Sequence, residues 1–487
     1  MNKKYFTYLL KNYRVAILFF AVLFFGISAT PFIAVEESSS AYNAALGIMT
    51  ALTIGMVFVL PVILFAFVHR RRSADLFLAL PVSREEQLIT NLLFAFLSIF
   101  GIFFVSSLVL WIPAASSVAF TKVLAVNANA ALVIASLLLI HSAWYLIANN
   151  VFDGIVMIAS WSFLPVLIYA VLAEFADTMV AGQNMANMIN PSIWLSPLAM
   201  SVRNLIAFSE SSEWNVSVFY NILIAVWGVI GAAGTYFHFV KRKSERAEQL
   251  SDDPLAYPLI INFYALCILI MMACSFVSDR SFDLLTIYLL LLFVYVVAQF
   301  VYRRKIRITP KILITFGALS LISLIFAFTA FKTHGFGQAE RYTVGSDSHI
   351  RITYYAVVDH DDLEKAYRYH DDYSDEEMLD LNVTALLPVK DYMELPALRD
   401  LFEAHRQDGI DFFYSENRNQ PENLSLSFQE IIGDTATVNS YYYKLSKPFT
   451  LDELKKIEQI PFAEINIYDP YEGESYSLTQ WLARKGN

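Results

Sequence analysis

Nine runs of about 20 mostly apolar residues restrict most strongly what this chain can fold into. They lie at 15–35, 44–68, 89–113, 128–148, 154–173, 217–240, 254–277, 283–302 and 312–331. A helix of about 20 apolar residues matches the apolar thickness of a bilayer. Only 16% of the 487 residues are charged, whereas a soluble domain has about 25%. We therefore predict a polytopic α-helical membrane protein with about nine spans.

Lysine and arginine predict the orientation of these spans. If the N-terminus is cytoplasmic, 17 of the 20 basic residues before residue 331 lie in cytoplasmic segments. The other three are Lys122, Arg203 and Arg280. Because basic residues favour cytoplasmic loops, we expect a plasma-membrane protein with its N-terminus inside and its C-terminus outside. Fusion of the fourth and fifth spans, which only the polar stretch 149–153 separates, would reverse the side of the C-terminus.

The last third of the chain has a different composition. Residues 331–487 carry 29 acidic and 15 basic residues, a net charge of −14, whereas residues 1–330 carry a net charge of +4. Alternating and helical patterns predict a soluble α+β domain here, placed outside the cell by the span count. The expected strands are 349–358, 424–431, 436–445 and 463–468, and the expected helices are 361–380, 391–406 and 451–459.

The pattern divides the chain into five parts. Residues 1–14 mix basic and aromatic side chains, which predicts an interfacial amphipathic helix on the inner leaflet. Residues 15–245 form a six-span core, in which the proline-broken segment 174–216 is expected to be an outer re-entrant region. Three additional spans follow at 246–331, and the acidic extracytoplasmic domain occupies 332–487.

The segment 69–88 between the second and third spans has a defined pattern. A triple arginine ends the second span, and a short amphipathic helix follows. Pro81 is expected to end that helix, and Ser83 and Glu86 predict a capping box that begins the next one. Most basic inner loops only set topology. The alternative interpretation is a docking element for a cytoplasmic partner.

The pattern R-R-R-S-A-D-L-F-L-A-L-P-V-S-R in this segment resembles the loop between spans 2 and 3 of type-2 ABC exporter permeases. The resemblance covers roughly residues 1–245. It implies a permease subunit that exports or extracts an amphiphilic substrate, such as a peptide antibiotic or a lipid-like compound. It also implies a second permease subunit, identical or different, and a separate cytoplasmic ATPase. The ATPase-contacting residues implied by the resemblance are Asp75, Leu76, Leu80, Pro81, Val82, Ser83 and Arg84.

The three extra spans and the large outer domain depart from the six-span plan of that family. They resemble, more loosely, the permeases of bacitracin-type peptide sensing and detoxification systems. A membrane receptor or sensor is therefore kept as the alternative function. In that case the outer domain would bind a ligand and signal to a partner without transport.

Motifs of common enzyme sites are missing from the sequence. A P-loop has the pattern G-x-x-x-x-G-K-[ST], and none of the 17 glycines is followed by lysine. We therefore expect that this chain is not an enzyme and binds no cofactor, with ATP and Mg²⁺ bound by the partner subunit. Nothing in the sequence indicates a nucleic-acid partner, and membrane lipid is the expected surrounding.

Polar and small residues within the spans are further candidates. His141 and Asn262 lie inside apolar runs, where polar side chains are functional candidates. Hydrogen bonding to a neighbouring helix is the favoured interpretation for His141. Gly228, Gly231 and Gly234 are spaced along one face of the sixth span, which predicts close helix packing.

A repeated His-Asp-Asp triplet occurs in the acidic domain. Its residues are His360, Asp361, Asp362, His370, Asp371 and Asp372. A solvated acidic face is the favoured interpretation, and a site for a cation or a cationic ligand is the alternative. The spacing matches no calcium loop, so no metal is predicted.

Overall fold

The computed structural model describes most of the chain. The described residues are 2–32, 38–116, 118–183, 196–202, 218–249, 251, 253, 255–279, 284–341, 348–359, 362–366, 378–415, 424–432, 436–460, 463–470 and 472–485.

Within these described residues, nine helices are long and apolar enough to cross a membrane. They are α1 (Lys3–Ser28), α2 (Ser38–Phe65), α4 (Arg84–Ala114), α5 (Phe120–Ile147), α6 (Val151–Met179), α7 (Val218–Val240), α8 (Tyr257–Asp279), α9 (Leu284–Arg303) and α10 (Pro310–Lys332). A shorter helix, α3 (Arg71–Leu78), lies between α2 and α4. The nine helices are those expected of a multi-pass membrane protein.

The N-terminal helix is longer than the sequence predicts. A single helix runs over Lys3–Ser28, with the Asn2 side chain accepting a hydrogen bond from Tyr5 N–H at its start. The predicted boundary between an interfacial helix at 1–14 and the first span therefore has no counterpart in the backbone. The physical reason is that residues 3–25 contain neither proline nor glycine to interrupt the helix.

The fourth and fifth spans are separate helices. Helix α5 ends at Ile147 and α6 begins at Val151. The Asn150 side chain accepts a 2.8 Å hydrogen bond from Asp153 N–H in the first turn of α6. An asparagine in this position satisfies a backbone donor that has no partner within the helix. The three residues 148–150, two of them asparagines, are therefore enough to end one helix and start the next.

The chain forms two compact units. The first comprises Met1–Tyr169, Pro191–Tyr264 and Val294–Thr309, and the second comprises Ala170–Asn190, Ala265–Phe293 and Pro310–Asn487. Three of the five divisions fall inside α6, α8 and α9, and the other two follow residues 190 and 309, so the predicted boundaries at 245 and 331 coincide with none of them. Hydropathy identifies where a helix begins and ends, whereas these units reflect which helix segments pack together.

The predicted re-entrant region 174–216 lies mostly outside the described residues. Its first residues continue α6 to Met179, and residues 197–202 are helical.

The second unit contains a six-stranded antiparallel sheet with strand order β4-β3-β1-β2-β5-β6. The strands are β1 (His349–Asp359), β2 (Met378–Pro388), β3 (Leu424–Ile432), β4 (Ala436–Lys444), β5 (Ala463–Asp469) and β6 (Glu474–Tyr476). The helices of this domain are α11 (Val389–Glu394), α12 (Pro396–Tyr414), α13 (Leu451–Glu458) and α14 (Leu478–Lys485). The predicted α+β domain is confirmed.

The helix predicted over 361–380 does not form in the described part of that range, 362–366 and 378–380, and residues 361 and 367–377 lie outside the described residues. Residues 378–388 form β2, which lies between β1 and β5. Leu379, Leu381 and Val383 are buried on one face in a period of two, as in a half-buried strand. The charged stretch before β2 favoured a helical interpretation. The alternation of apolar and polar residues from Met378 onward was therefore not recognised as a strand.

One face of the sheet forms the core of the domain. Tyr354 of β1 stacks on Phe449 with ring centroids 4.0 Å apart, and Phe402 of α12 packs edge-on against Phe428 of β3. Residues on the opposite face, such as Thr353 and Thr384, are half-buried. This division follows from the alternating side-chain directions of a strand.

The sheet domain is attached to the end of α6 within the second unit. Tyr442 N–H of the edge strand β4 donates a 2.8 Å hydrogen bond to the Gly182 carbonyl. Tyr414 donates through its hydroxyl to the Met179 carbonyl at 2.8 Å and accepts from Ala181 N–H at 3.3 Å. These contacts hold α12 and β4 against the residues that follow α6.

Candidate functional site

The segment between α2 and α4 folds as a helix, a turn and a helix. Helix α3 ends at Leu78, and Gln87 donates through its side-chain amide to the Phe77 carbonyl at 2.6 Å. The Ser83 hydroxyl accepts from Glu86 N–H at 3.2 Å and so caps α4. This hydrogen bond is the first of the two that a capping box requires.

Arg84 attaches this segment to the end of α7. Its Nη1 atom donates to the Val240 carbonyl at 3.0 Å and to the Arg242 carbonyl at 2.6 Å. Carbonyls at the end of a helix have no partner within the helix and attract a cation. The predicted partner-contacting residue Arg84 is therefore half-buried and bound to backbone within this chain.

The remaining predicted contact residues lie along the surface of the segment. Leu76 is 65% exposed. Asp75, Pro81 and Ser83 are exposed, and Leu80 and Val82 are half-buried. An exposed leucine beside a proline turn presents apolar surface away from the packed core.

The start of α1 lies beside these residues, and the two segments enclose a groove of about 880 Å³. We call it the docking groove; its described lining residues are Asn2, Lys3, Lys4, Tyr5, Tyr8, Leu76, Phe77, Leu80, Pro81, Val82 and Glu86. Tyr5 is buried and donates through its hydroxyl to Asn91 Oδ1 of α4 at 3.3 Å. Lys3, Lys4 and Tyr8 are exposed. The groove therefore has an apolar floor and a basic rim from the start of α1, and its described lining also includes the exposed acidic residue Glu86.

The sequence predicted that residues 1–14 lie on the lipid surface, and it did not predict their contact with the segment 69–88. The mixture of basic and aromatic residues was visible, but it is equally typical of a membrane interface and of a protein interface. Only the packing of α1 on α4, through Tyr5 and Asn91, brings the two segments together.

A buried arginine connects the base of the loop to the junction of α5 and α6. Arg242 donates through Nη1 to the carbonyls of Leu146 and Ala148, both at 2.9 Å, and through Nη2 to Asn149 Oδ1 at 3.1 Å. His69 Nδ1 lies 3.4 Å from Nη2 and must act as the acceptor, since arginine has none. Burial, reinforced by Arg246, lowers the pKa of Arg242 to about 10, so the side chain stays charged at neutral pH.

Asp153 is a second buried polar residue in this part of the first unit. Its Oδ1 atom accepts from the Tyr257 hydroxyl at 2.9 Å, and its Oδ2 atom lies 3.7 Å from Arg304. It therefore connects the start of α6 to α8 and to the end of α9. Sequence reasoning treated this aspartate as a break between spans and assigned it no partner.

His141 and Asn262 both contact neighbouring helices. His141 is buried, with Nδ1 3.4 Å from the Val57 carbonyl of α2 and Nε2 3.3 Å from the Ser162 hydroxyl of α6. Asn262 accepts a 2.8 Å hydrogen bond from the Tyr295 hydroxyl of α9. Both arrangements are those of helix packing.

The three glycines of α7 face α5. A Cβ atom added at Gly231 would lie 2.5 Å from the backbone nitrogen of Ile140, and one at Gly228 would lie 2.5 Å from the Ser136 hydroxyl. At Gly234 the nearest atom would be the Ala143 Cβ at 3.0 Å. The two helices approach this closely because these positions carry no side chain.

The His-Asp-Asp residues lie outside the described residues except Asp362, whose side chain accepts a 3.0 Å hydrogen bond from Glu364 N–H. The described part of the chain contains no group of three or more His, Cys, Asp or Glu side chains that could hold a metal ion.

Comparisons with known proteins find no counterpart of this chain: no family model, no curated protein and no solved structure matches it.

Proposed function

We propose that the chain is the membrane subunit of an ABC exporter and that the docking groove receives the separate ATPase subunit. The observation that carries the proposal is the groove itself. It joins the exposed apolar residues of the α3–α4 turn to a basic rim from the start of α1. An apolar centre with a polar rim is the usual composition of a protein interface.

The attachment of the segment supports a mechanical role. Arg84 binds the end of α7, and Arg242 binds the junction of α5 and α6. A force applied by a partner at Leu76 would therefore act on several spans, whereas a slack loop would absorb it. Alternating access requires that such a force shifts the balance between two conformations of the spans.

The charge of the rim predicts the chemistry of the partner. Lys3 and Lys4 are exposed in the lining of the groove, and Arg71 and Arg72 of α3 are exposed outside its described lining. We expect an acidic rim around an apolar knob on the ATPase, because complementary charge accelerates encounter and sets orientation. The ATPase supplies nucleotide and Mg²⁺ binding, and this chain supplies the pathway for an amphiphilic substrate.

Co-purification with a co-expressed cytoplasmic ABC ATPase tests the proposal. Leu76→Asp should reduce recovery of the ATPase at least tenfold from detergent extracts, and Leu80→Asp should act in the same direction. Ile306→Asp is the matched control, since Ile306 is 92% exposed and lies outside the groove on the same predicted side. Equal recovery with all three variants would show that the groove does not bind the ATPase.

A second measurement distinguishes an exporter from a receptor or sensor. In an exporter, substrate stimulates ATP hydrolysis and accumulates across a vesicle membrane. In a sensor, ligand changes hydrolysis or signalling without accumulation. Reconstitution of both subunits in proteoliposomes distinguishes the two.

A further inference from the structure

A polar cleft of about 870 Å³ lies in the second unit where the sheet domain meets the ends of α6 and α8. We call it the outer cleft; its described lining residues are Asp177, Thr178, Ala181, Gly182, Gln183, Ser278, Gly409, Phe412, Phe413, Ser427, Gln429, Ser440, Tyr442, Tyr443 and Lys444. Its volume falls within the range of about 300–1,000 Å³ that is typical of small-molecule pockets. None of these residues lines the docking groove.

The wall of the outer cleft is held by backbone contacts. Tyr442 N–H donates to the Gly182 carbonyl at 2.8 Å, which extends the edge of the sheet by one bridge. Gly182 has φ +80°, and a Cβ atom there would lie 2.3 Å from the Tyr443 ring. Only glycine permits this close approach of the chain to the Tyr443 ring in the wall of the cleft.

The side chains of the outer cleft are mainly neutral hydrogen-bonding groups. They are Thr178, Gln183, Ser278, Ser427, Gln429 and Ser440. The charged residues among the described lining are Asp177 and Lys444, whose charges cancel. Although the acidic domain would attract cations from a distance, the described lining of the cleft carries no excess charge for an ionic ligand.

Aromatic rings add a second kind of surface. Tyr442 is 44% exposed, and Phe412 and Phe413 are half-buried. Flat rings beside side-chain amides and hydroxyls suit a ligand that presents C–H faces and many hydroxyl groups together. Such a ligand is a sugar, since each hydroxyl both donates and accepts hydrogen bonds.

The position of the outer cleft favours a sugar that is attached to a lipid. The apolar part of α6 ends at Met179 and that of α8 ends at Ser278, and Thr178 and Ser278 at these two helix ends line the cleft. We propose that the outer cleft binds the uncharged sugar headgroup of a glycolipid. The acyl chains would remain between the spans, where the surroundings are already apolar.

Binding of a defined glycolipid to the full chain in nanodiscs tests this proposal. The probe is dihexosyl diacylglycerol in a phosphatidylcholine nanodisc, measured by native mass spectrometry against nanodiscs of phosphatidylcholine alone. Tyr442→Ala should weaken binding at least tenfold, since the ring is lost while the backbone bond to Gly182 remains. Gln429→Ala should weaken it by at least threefold.

Tyr468→Ala is the matched control. Tyr468 is 40% exposed on the same face of the sheet, and three strands separate its strand from β4.

Tyr442→Phe keeps the ring and should retain most of the binding, which separates ligand contact from misfolding. If the free disaccharide binds as well as the lipid, with the same loss in Tyr442→Ala, the sugar assignment holds and the lipid source is wrong. Absence of binding by both probes, or equal losses at Tyr442 and Tyr468, would overturn the proposal.

Discussion

The guanidinium Nη1 of Arg84 lies 2.6 Å from the backbone carbonyl oxygen of Arg242, at the end of α7. The side chain of Arg242 is itself buried and bound to the junction of α5 and α6. Two arginines in succession therefore connect the turn between α3 and α4 to three of the spans. This connection is why the loop is a defined structural element, and it gives the docking groove a fixed wall.

Replacement of Arg242 by lysine should destabilise the first unit. Lysine cannot donate to the carbonyls of Leu146 and Ala148 and to the Asn149 side chain in one planar arrangement. A buried acceptor left without a donor costs about 1–3 kcal/mol, so we expect a loss of about 2–4 kcal/mol overall. Thermal unfolding of the detergent-solubilised chain measures the effect. Arg246→Lys is the control, because Arg246 is exposed.

Replacement of Gly231 by alanine should separate α5 from α7. The new Cβ atom would lie 2.5 Å from the backbone nitrogen of Ile140, which cannot move aside as a side chain can. Overpacking of this kind costs about 1–3 kcal/mol, and the midpoint of thermal unfolding should fall. Gly101→Ala in α4 serves as the comparison, since nothing lies within 4 Å of its added Cβ atom. A similar fall for both variants would contradict the assigned helix contact.

Replacement of Gly182 by alanine should loosen the attachment of β4 to the end of α6. The substitution strains a backbone at φ +80° and places a methyl group 2.3 Å from the Tyr443 ring. Strain of this kind costs about 1–3 kcal/mol, before the steric overlap is added. Gly473 has φ +69° but nothing within 4 Å of an added Cβ atom, so Gly473→Ala should show the strain alone. Hydrogen exchange at residues 436–444 measures the loosening. Equal exchange in Gly182→Ala and Gly473→Ala would show that the overlap with the Tyr443 ring does not loosen β4.

The sheet domain should lose stability as the pH falls from 7 to 4. Burial lowers the pKa of His405 below its usual value, so the unfolded chain binds a proton there before the folded one does. The pKa of Glu453 is also below its usual range: burial opposes ionisation, but hydrogen bonds from Thr450 and the nearby His405 outweigh it. Both shifts give stability that is present at neutral pH and is lost on acidification.

His405→Gln separates these two contributions. Glutamine cannot titrate, so the loss of stability near and below pH 6.5 should diminish while the loss near and below pH 4.5 remains. Unfolding midpoints of the full chain in detergent between pH 4 and pH 7 give both slopes. An unchanged slope above pH 5 would show that His405 does not titrate on unfolding.

Hydropathy alone predicted the nine long apolar helices found in the described residues. Whether the fourth and fifth were separate stayed open in the sequence, and the structure shows two helices, α5 and α6. Apolar side chains must cover about 30 Å of hydrocarbon whatever the neighbouring helices do, so this property is local. Four strands of the domain were predicted from the same local alternation. By contrast, the sequence predicted no strand at 378–388, and the helix expected over 361–380 overlaps the first three residues of β2, because the burial of β2 comes from pairing with β1 and β5.

The sites of interest depended on tertiary structure. The loop pattern at Leu76 and Pro81 was visible in the sequence, but its pairing with Lys3 and Tyr8 follows from α1 packing on α4. Asp153 contacts Tyr257 and Arg304, and both lie more than 100 residues away from it in the sequence. The outer cleft brings together residues from 177 to 444. Hydropathy and turn patterns act over a few residues, whereas a site is created by contacts between distant ones, and only the folded chain decides which of these form.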